Sequence, residues 1–272
     1  MRCQWRSILI GAVWGLSWSC AYDGDVLDDD VDDDDVVAEV KVDPGIDEEF
    51  GADVDVAEIR GGRARNDHPE IGEMFQHING PNAWFRCTAT LVDRKIAITA
   101  GHCVEYKNQD RAGNYGYLEI KTPTSSGGLQ IRHYTINGYH NFDGKPHNVL
   151  GDPDDVGLIR LSKAVPCSVA HPAHLSRDGP PTGTVVSRWG FGVCGSEADR
   201  KRVRHFRRGS KTAMLCPGDS GGPTLDPDGA VYQINSGHRI DGDMQDGVAR
   251  VGKEWNGITR VMDEWGRAGR CD

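Results

Sequence analysis

Residues 216–223 read Cys216-Pro217-Gly218-Asp219-Ser220-Gly221-Gly222-Pro223, and the order of these eight residues decides how the rest of the chain is read. A serine hydroxyl is a poor nucleophile until a neighbouring base takes its proton. Glycines on both sides of Ser220 let the backbone turn sharply, so that N–H groups can point at negative charge developing beside the hydroxyl. A turn-rich loop without chemistry is the plain alternative, but eight residues in this order rarely arise by chance.

Two upstream segments carry groups that suit such a serine. Ile96-Ala97-Ile98-Thr99-Ala100-Gly101-His102-Cys103 is an apolar run that ends in small residues, a histidine and a cysteine. Asp155 directly precedes the apolar run Val156-Gly157-Leu158-Ile159-Arg160-Leu161, which would bury it or half-bury it. A buried acid needs a partner, and the N–H of a histidine ring is a suitable one. Taken singly, a structural histidine at a strand end and a surface turn beside Asp152 and Asp154 remain open readings.

In the chain order His102, Asp155, Ser220, the three segments resemble those of the trypsin/chymotrypsin family of serine proteases, over about Ile59 to Trp265. The resemblance implies an all-β fold: two six-stranded antiparallel barrels, about 59–165 and 175–258, with a C-terminal helix at 259–269. It implies Ser220 as nucleophile, His102 as general base and then acid, and Asp155 as the carboxylate that orients the imidazole. The backbone N–H groups of Gly218 and Ser220 would form the oxyanion hole, and Ser236 would hydrogen-bond Asp155. Short alternating runs agree with strands between turns: Thr88–Val92, Ala97–Thr99, Gly157–Leu161 and Val231–Ile234. The 35 glycines and 13 prolines likewise favour turns and short strands over long helices.

For substrate binding the resemblance points to Met214, Leu215, Ser236, Gly237 and His238. Trypsin-like members place an aspartate six residues before the nucleophile, where this chain has Met214. Cleavage after Lys or Arg is therefore disfavoured and an apolar pocket expected, with His238 as the alternative, holding an acidic side chain. The activation segment would be Ile59-Arg60-Gly61-Gly62, cut between Glu58 and Ile59, with Asp219 receiving the new ammonium; Arg60 stands where the family usually has valine. The resemblance pairs Cys87 with Cys103; Cys194–Cys216 and Cys167–Cys271 would complete three bridges, with other pairings of these four cysteines left open. No close Cys-x-x-Cys or Cys/His set points to zinc, so neither metal nor cofactor is expected.

The N-terminus reads as an export signal over residues 1–20: Arg2 and Arg6 precede the apolar stretch Ile8–Leu16, and small residues follow. Cys20 is a lipidation candidate, with simple cleavage nearby as the alternative. Residues 21–58 hold 17 Asp or Glu against the single basic residue Lys41, a net charge of −16. With +2 from Arg2 and Arg6, the total of −10 leaves +4 for residues 59–272, so the acidity belongs to the leader alone. Like charges at Asp28–Asp35, broken by Val31, oppose packing, and a disordered spacer or propeptide is expected rather than a calcium loop. The basic cluster Arg200–Arg208 is read as an exposed loop and strand edge rather than a nucleic-acid surface. The expected product is a secreted, monomeric serine endopeptidase acting on protein or peptide, touching a membrane only through a lipid at Cys20. Its rivals are a non-catalytic binding module of the same fold, which an intact triad disfavours, and a surface lipoprotein built on the acidic leader, which leaves residues 216–223 unexplained.

Overall fold

β-branched and aromatic residues alternate with polar ones along most of the body, a pattern that suits a half-buried pleated surface. These runs form antiparallel strands in the computed structural model, which describes residues 38–40, 63–77, 84–104, 116–142, 153–193, 200–212, 215–241 and 243–271. In chain order they are β1 (Ala38–Val40), β2 (Arg63–Ala64), β3 (Ile71–His77), β4 (Trp84–Asp93), β5 (Ile96–Thr99), β6 (Gly116–Pro123), β7 (Leu129–Asn141) and β8 (Gly157–Leu161). Then follow β9 (Val185–Gly190), β10 (Arg202–Arg207), β11 (Pro223–Leu225), β12 (Val231–Asp241), β13 (Asp243–Arg250) and the helix α1 (Trp255–Glu264).

The first sheet runs β1-β7-β6-β3-β4-β5-β8, and β7 also pairs with β8. Six strands thus close into a barrel, which removes their edges, and β1 sits outside it on β7. The second sheet has six strands in the order β13-β12-β11-β9-β10-β2. Where a second closed barrel was expected, no pairing joins β13 to β2 among the described residues. The short β2, from the stretch assigned to the first barrel, lies on the second sheet instead, where Arg63 and Ala64 pair with Val203 and Arg202.

One hydrophobic cluster runs through both sheets. Leu91, Ile98, Leu118 and Ile159 of the first meet Trp189, Leu225 and Ile234 of the second, with Ile258, Val261 and Met262 of the helix. Burying a side chain of this size is worth about 1.5–3 kcal/mol.

The helix begins and ends earlier than the expected 259–269. Gly266, at φ 72°, takes the left-handed conformation that stops it, and its N–H bonds to the Asp263 carbonyl. The tail is then strapped to the first barrel, because the N–H groups of Ala268 and Gly269 reach the Asp93 carboxylate at 3.0 and 2.9 Å. The cluster Arg200–Arg208 is likewise not one exposed face. Lys201 and Arg202 are buried, and β2 covers what was read as a strand edge. The Lys201 ammonium donates to the His68 carbonyl at 2.5 Å, and burial pushes its pKa down to about 8. Of the leader expected to be a spacer or propeptide, Ala38–Val40 form β1, and its other residues, like 1–20, lie outside the described residues. Among the described residues no helix is long and apolar enough to cross a membrane.

Disulfides join Cys87 to Cys103 and Cys167 to Cys271, the second across a sequence separation of 104. A bridge closing so long a loop restricts the unfolded chain strongly. Replacing Cys167 and Cys271 together by serine should lower stability by about 2–4 kcal/mol. Denaturant midpoints measure this, and an unchanged midpoint would show that the bridge adds nothing.

Candidate active site

Strand register brings Asp155 to His102. β5 and β8 pair antiparallel with Thr99 opposite Gly157, so the residues just before Gly157 face those just after Thr99. His102 lies in a single 3-10 turn, Gly101–Cys103, fixed by the Cys87–Cys103 bridge and by a 2.5 Å hydrogen bond from Gln76 Nε2 to the Cys103 carbonyl. A side chain at Gly101 would crowd Asn141 and the Asp155 carboxylate, so glycine permits the approach.

The Asp155 side chain, 1% exposed, is held from three directions. The His102 backbone N–H donates to Oδ1 at 2.8 Å, and the His102 ring contacts Oδ2 through Nδ1 at 2.7 Å. The Ser236 hydroxyl donates to the same Oδ2 at 2.5 Å. Burial raises the carboxyl pKa, but the hydrogen bonds and charge of His102 and the bond from Ser236 outweigh it, and the net shift is downward. Asp155 is therefore ionised and can only accept, so the ring contact is an Nδ1 N–H donating to Oδ2.

Ser220 sits in a turn pinned from both sheets. Thr88 of β4 donates its N–H to the Ser220 carbonyl at 2.7 Å and its hydroxyl to the Gly218 carbonyl at 2.9 Å. From β12, the buried Asn235 amide donates to the carbonyls of Trp189 and Asp219 at 2.9 and 3.1 Å, and the Asn235 carbonyl accepts the Gly221 N–H at 2.7 Å. Gly218 and Gly221 have φ of 100° and 85°, which favour glycine, and a Cβ at Gly221 would collide with Thr88 and Thr99. The N–H groups of Asp219, Gly221 and Gly222 bond to the carbonyls of Cys216, Asn235 and Asp219. Those of Gly218 and Ser220 have no acceptor among the described residues. The Ser220 hydroxyl makes a long contact, 3.5 Å, to the Ser236 carbonyl, and no hydrogen bond joins it to His102 in this arrangement.

Asp219 is fully buried beneath the turn, where its oxygens accept the N–H groups of Gly192 at 2.7 Å and Cys216 at 2.8 Å. Side chains at Gly190 or Gly192 would collide with it. Desolvation raises its pKa to about 7 against the lowering effect of those hydrogen bonds and of the Arg188 charge.

Leu215 is also buried, and its N–H donates to Asp246 Oδ1 at 2.9 Å. Asp246 lies on β13 opposite His238 and pairs with the buried Arg188, whose Nη1 lies 2.7 Å from Oδ2. Arg188 also bonds to Thr212 and stacks over Phe206, with 4.7 Å from its Cζ to the ring centroid. The sequence reading missed Thr88, Asn235, Arg188 and Asp246; each acts through strand pairing with a distant segment, and no motif marks them. The backbone of Gly237 and His238 belongs to β12, but Ile59, Met214, Cys194 and the His238 side chain lie outside the described residues. Cys216 is disulfide-bonded, and the pairing with Cys194 falls outside the described residues with that cysteine.

Two comparisons bear on this arrangement. The family model described as Trypsin matches residues 59–253. No curated protein matches the chain.

Asp219 makes a testable contribution to pH dependence. In the folded chain its carboxyl stays protonated up to about pH 7, whereas unfolded it would ionise near 3.8. The folded state therefore binds the extra proton between these values, and stability falls as pH rises from about 4 to about 7. Asp219→Asn should flatten this part of the profile, read as thermal midpoints from pH 4 to 8. An equal decline in both proteins would place the dependence elsewhere.

Proposed function

Because the chain belongs to the trypsin family, a family of serine proteases, we propose that it is a serine endopeptidase that works through an acyl-enzyme, with Ser220 as nucleophile. The observation that carries this is the run of contacts from His102 through the buried Asp155 carboxylate to Ser236, whose carbonyl meets the Ser220 hydroxyl. A rotation about the Ser220 Cα–Cβ bond presents its oxygen to His102. With Nδ1 held by Asp155, Nε2 takes the hydroxyl proton as Oγ attacks the scissile carbonyl. The N–H groups of Gly218 and Ser220 receive the oxyanion, each worth roughly 3 kcal/mol. The imidazolium then protonates the leaving amine, and water repeats the sequence to free Ser220. A role in binding alone would need no buried carboxylate aligned on an imidazole.

Activation follows a cut between Glu58 and Ile59, whose new ammonium would neutralise the buried Asp219. The substrate pocket is apolar. The Asp246 carboxylate, which accepts the Leu215 N–H, is engaged by Arg188 and so is not available to hold a basic side chain. Residues 1–20 direct export, which the bridges Cys87–Cys103 and Cys167–Cys271 support. Whether Cys20 is lipidated is read from the mass of the exported N-terminus.

Ser220→Ala should reduce turnover about a millionfold while leaving the thermal midpoint unchanged, measured on a peptide library with the protein cut before Ile59. Cleavage should favour apolar residues before the scissile bond, and persistent turnover by the alanine variant would refute the assignment. Arg188→Met should release the Asp246 carboxylate and raise cleavage after Lys relative to apolar residues, at a cost of about 3–5 kcal/mol in stability. Adding Asp246→Asn should cancel both effects. A cleavage ratio that never moves would detach Asp246 from the pocket.

A further inference from the structure

Among the described residues, the first half of β7 runs past the closed part of the first barrel. β7 runs from Leu129 to Asn141, and β6 pairs with it from Leu129 to Thr135 on one side. On the other side β8 covers Ile136 to Asn141, so the first half of β7 overhangs the barrel. Such an edge offers unpaired N–H and C=O groups to any extended chain. Part of it is taken by the leader: Ala38, Glu39 and Val40 pair antiparallel with Ile131, Gln130 and Leu129.

The leader is built for this at one place. Between Asp35 and Asp43 the sequence reads Val36-Val37-Ala38-Glu39-Val40-Lys41-Val42, with a single acid and the leader's one lysine. Ala38, Val40 and Val42 alternate with Glu39 and Lys41, the period of a strand. The acids cluster on either side of it, at Asp28–Asp35 and from Asp43 to Glu58. The charges also favour approach, since the leader carries −16 and residues 59–272 carry +4, an attraction that salt weakens.

We propose that the overhanging edge of β7 is a strand-docking site that the acidic leader fills in the uncut chain and leaves once the chain is cut. Three residues supply few hydrogen bonds, and each has a small net value, so β1 holds as a tethered segment rather than as a separate peptide. The tether is residues 41–62, between β1 on the first sheet and β2 on the second. It keeps the leader at an effective concentration of roughly millimolar. The candidate cut between Glu58 and Ile59 falls within it, and this part of the inference rests on the activation reading above. Cutting there turns docking into a bimolecular event, and the vacated edge becomes open to another extended chain.

Hydrogen exchange tests this on the full chain carrying Ser220→Ala, so that it does not cut itself. In an antiparallel pair alternate residues face the partner. Either Glu39→Pro or the double change Ala38→Pro with Val40→Pro therefore removes the N–H donors of β1 that face β7. The β7 amides in Leu129–Ile131 that face away from β6 should exchange about tenfold faster in one of these variants. They should do the same once the chain is cut before Ile59 and the leader is removed by gel filtration, with Gly157–Leu161 unchanged throughout. Equal exchange at Leu129–Ile131 in the parent and both proline variants overturns the proposal, as does protection that survives removal of the leader. If the active species begins elsewhere than Ile59, the activation reading fails, and the proline variants still decide whether the leader docks.

Discussion

A carboxylate withdrawn from water stays ionised only if fixed donors replace its hydration shell. At Asp155 three donors do so: the His102 backbone N–H, the His102 ring and the Ser236 hydroxyl. Two of the three come from one residue, so the carboxylate fixes where the imidazole sits as well as its tautomer. The third comes from the second sheet. The same contact that keeps Asp155 charged therefore also sets the distance between the barrel that carries His102 and the sheet that carries Ser220.

That distance is held at a second level by residues with no chemistry of their own. Thr88 reaches from the first barrel to the carbonyls of both Gly218 and Ser220, and Asn235 holds the turn from behind through Trp189, Asp219 and Gly221. Both side chains are buried and costly to place unless hydrogen-bonded; the Thr88 hydroxyl and the Asn235 side-chain NH2 donate there, and the bonds to Ser220 and Gly221 are made by their backbones. Asp219 differs. It is buried with two backbone donors and, among the described residues, no cation in contact, which leaves its pKa near 7 and its charge poorly met.

How much of this the sequence could show depends on the range of the cause. His102, Asp155 and Ser220 announce themselves because each lies in a local pattern: an apolar run ending in a histidine, an acid before a strand, a glycine-flanked serine. The bridge Cys87–Cys103 follows from the family resemblance, whereas Cys167–Cys271 was one of several pairings that the sequence left open. Arg188 and Asp246 had no such mark. They lie on β9 and β13, strands that do not neighbour one another in the sheet, and their pairing exists only after β11 and β12 have been laid between them. The helix was displaced because the family resemblance implies a closing helix without marking where a left-handed glycine stops its last turn. β1 was hidden by its surroundings: a short alternating stretch inside a strongly acidic leader takes its meaning from an overhang on β7 that no local pattern reveals.

The central claim is that the His102 imidazole activates the hydroxyl of Ser220. It is tested most directly by treating the native, processed protein with a fluorophosphonate and locating the adduct by peptide mass spectrometry, with His102→Ala in parallel. The account expects one adduct, on Ser220, lost on denaturation and nearly absent without the imidazole. An unlabelled Ser220, or labelling that proceeds equally well without His102, would contradict it.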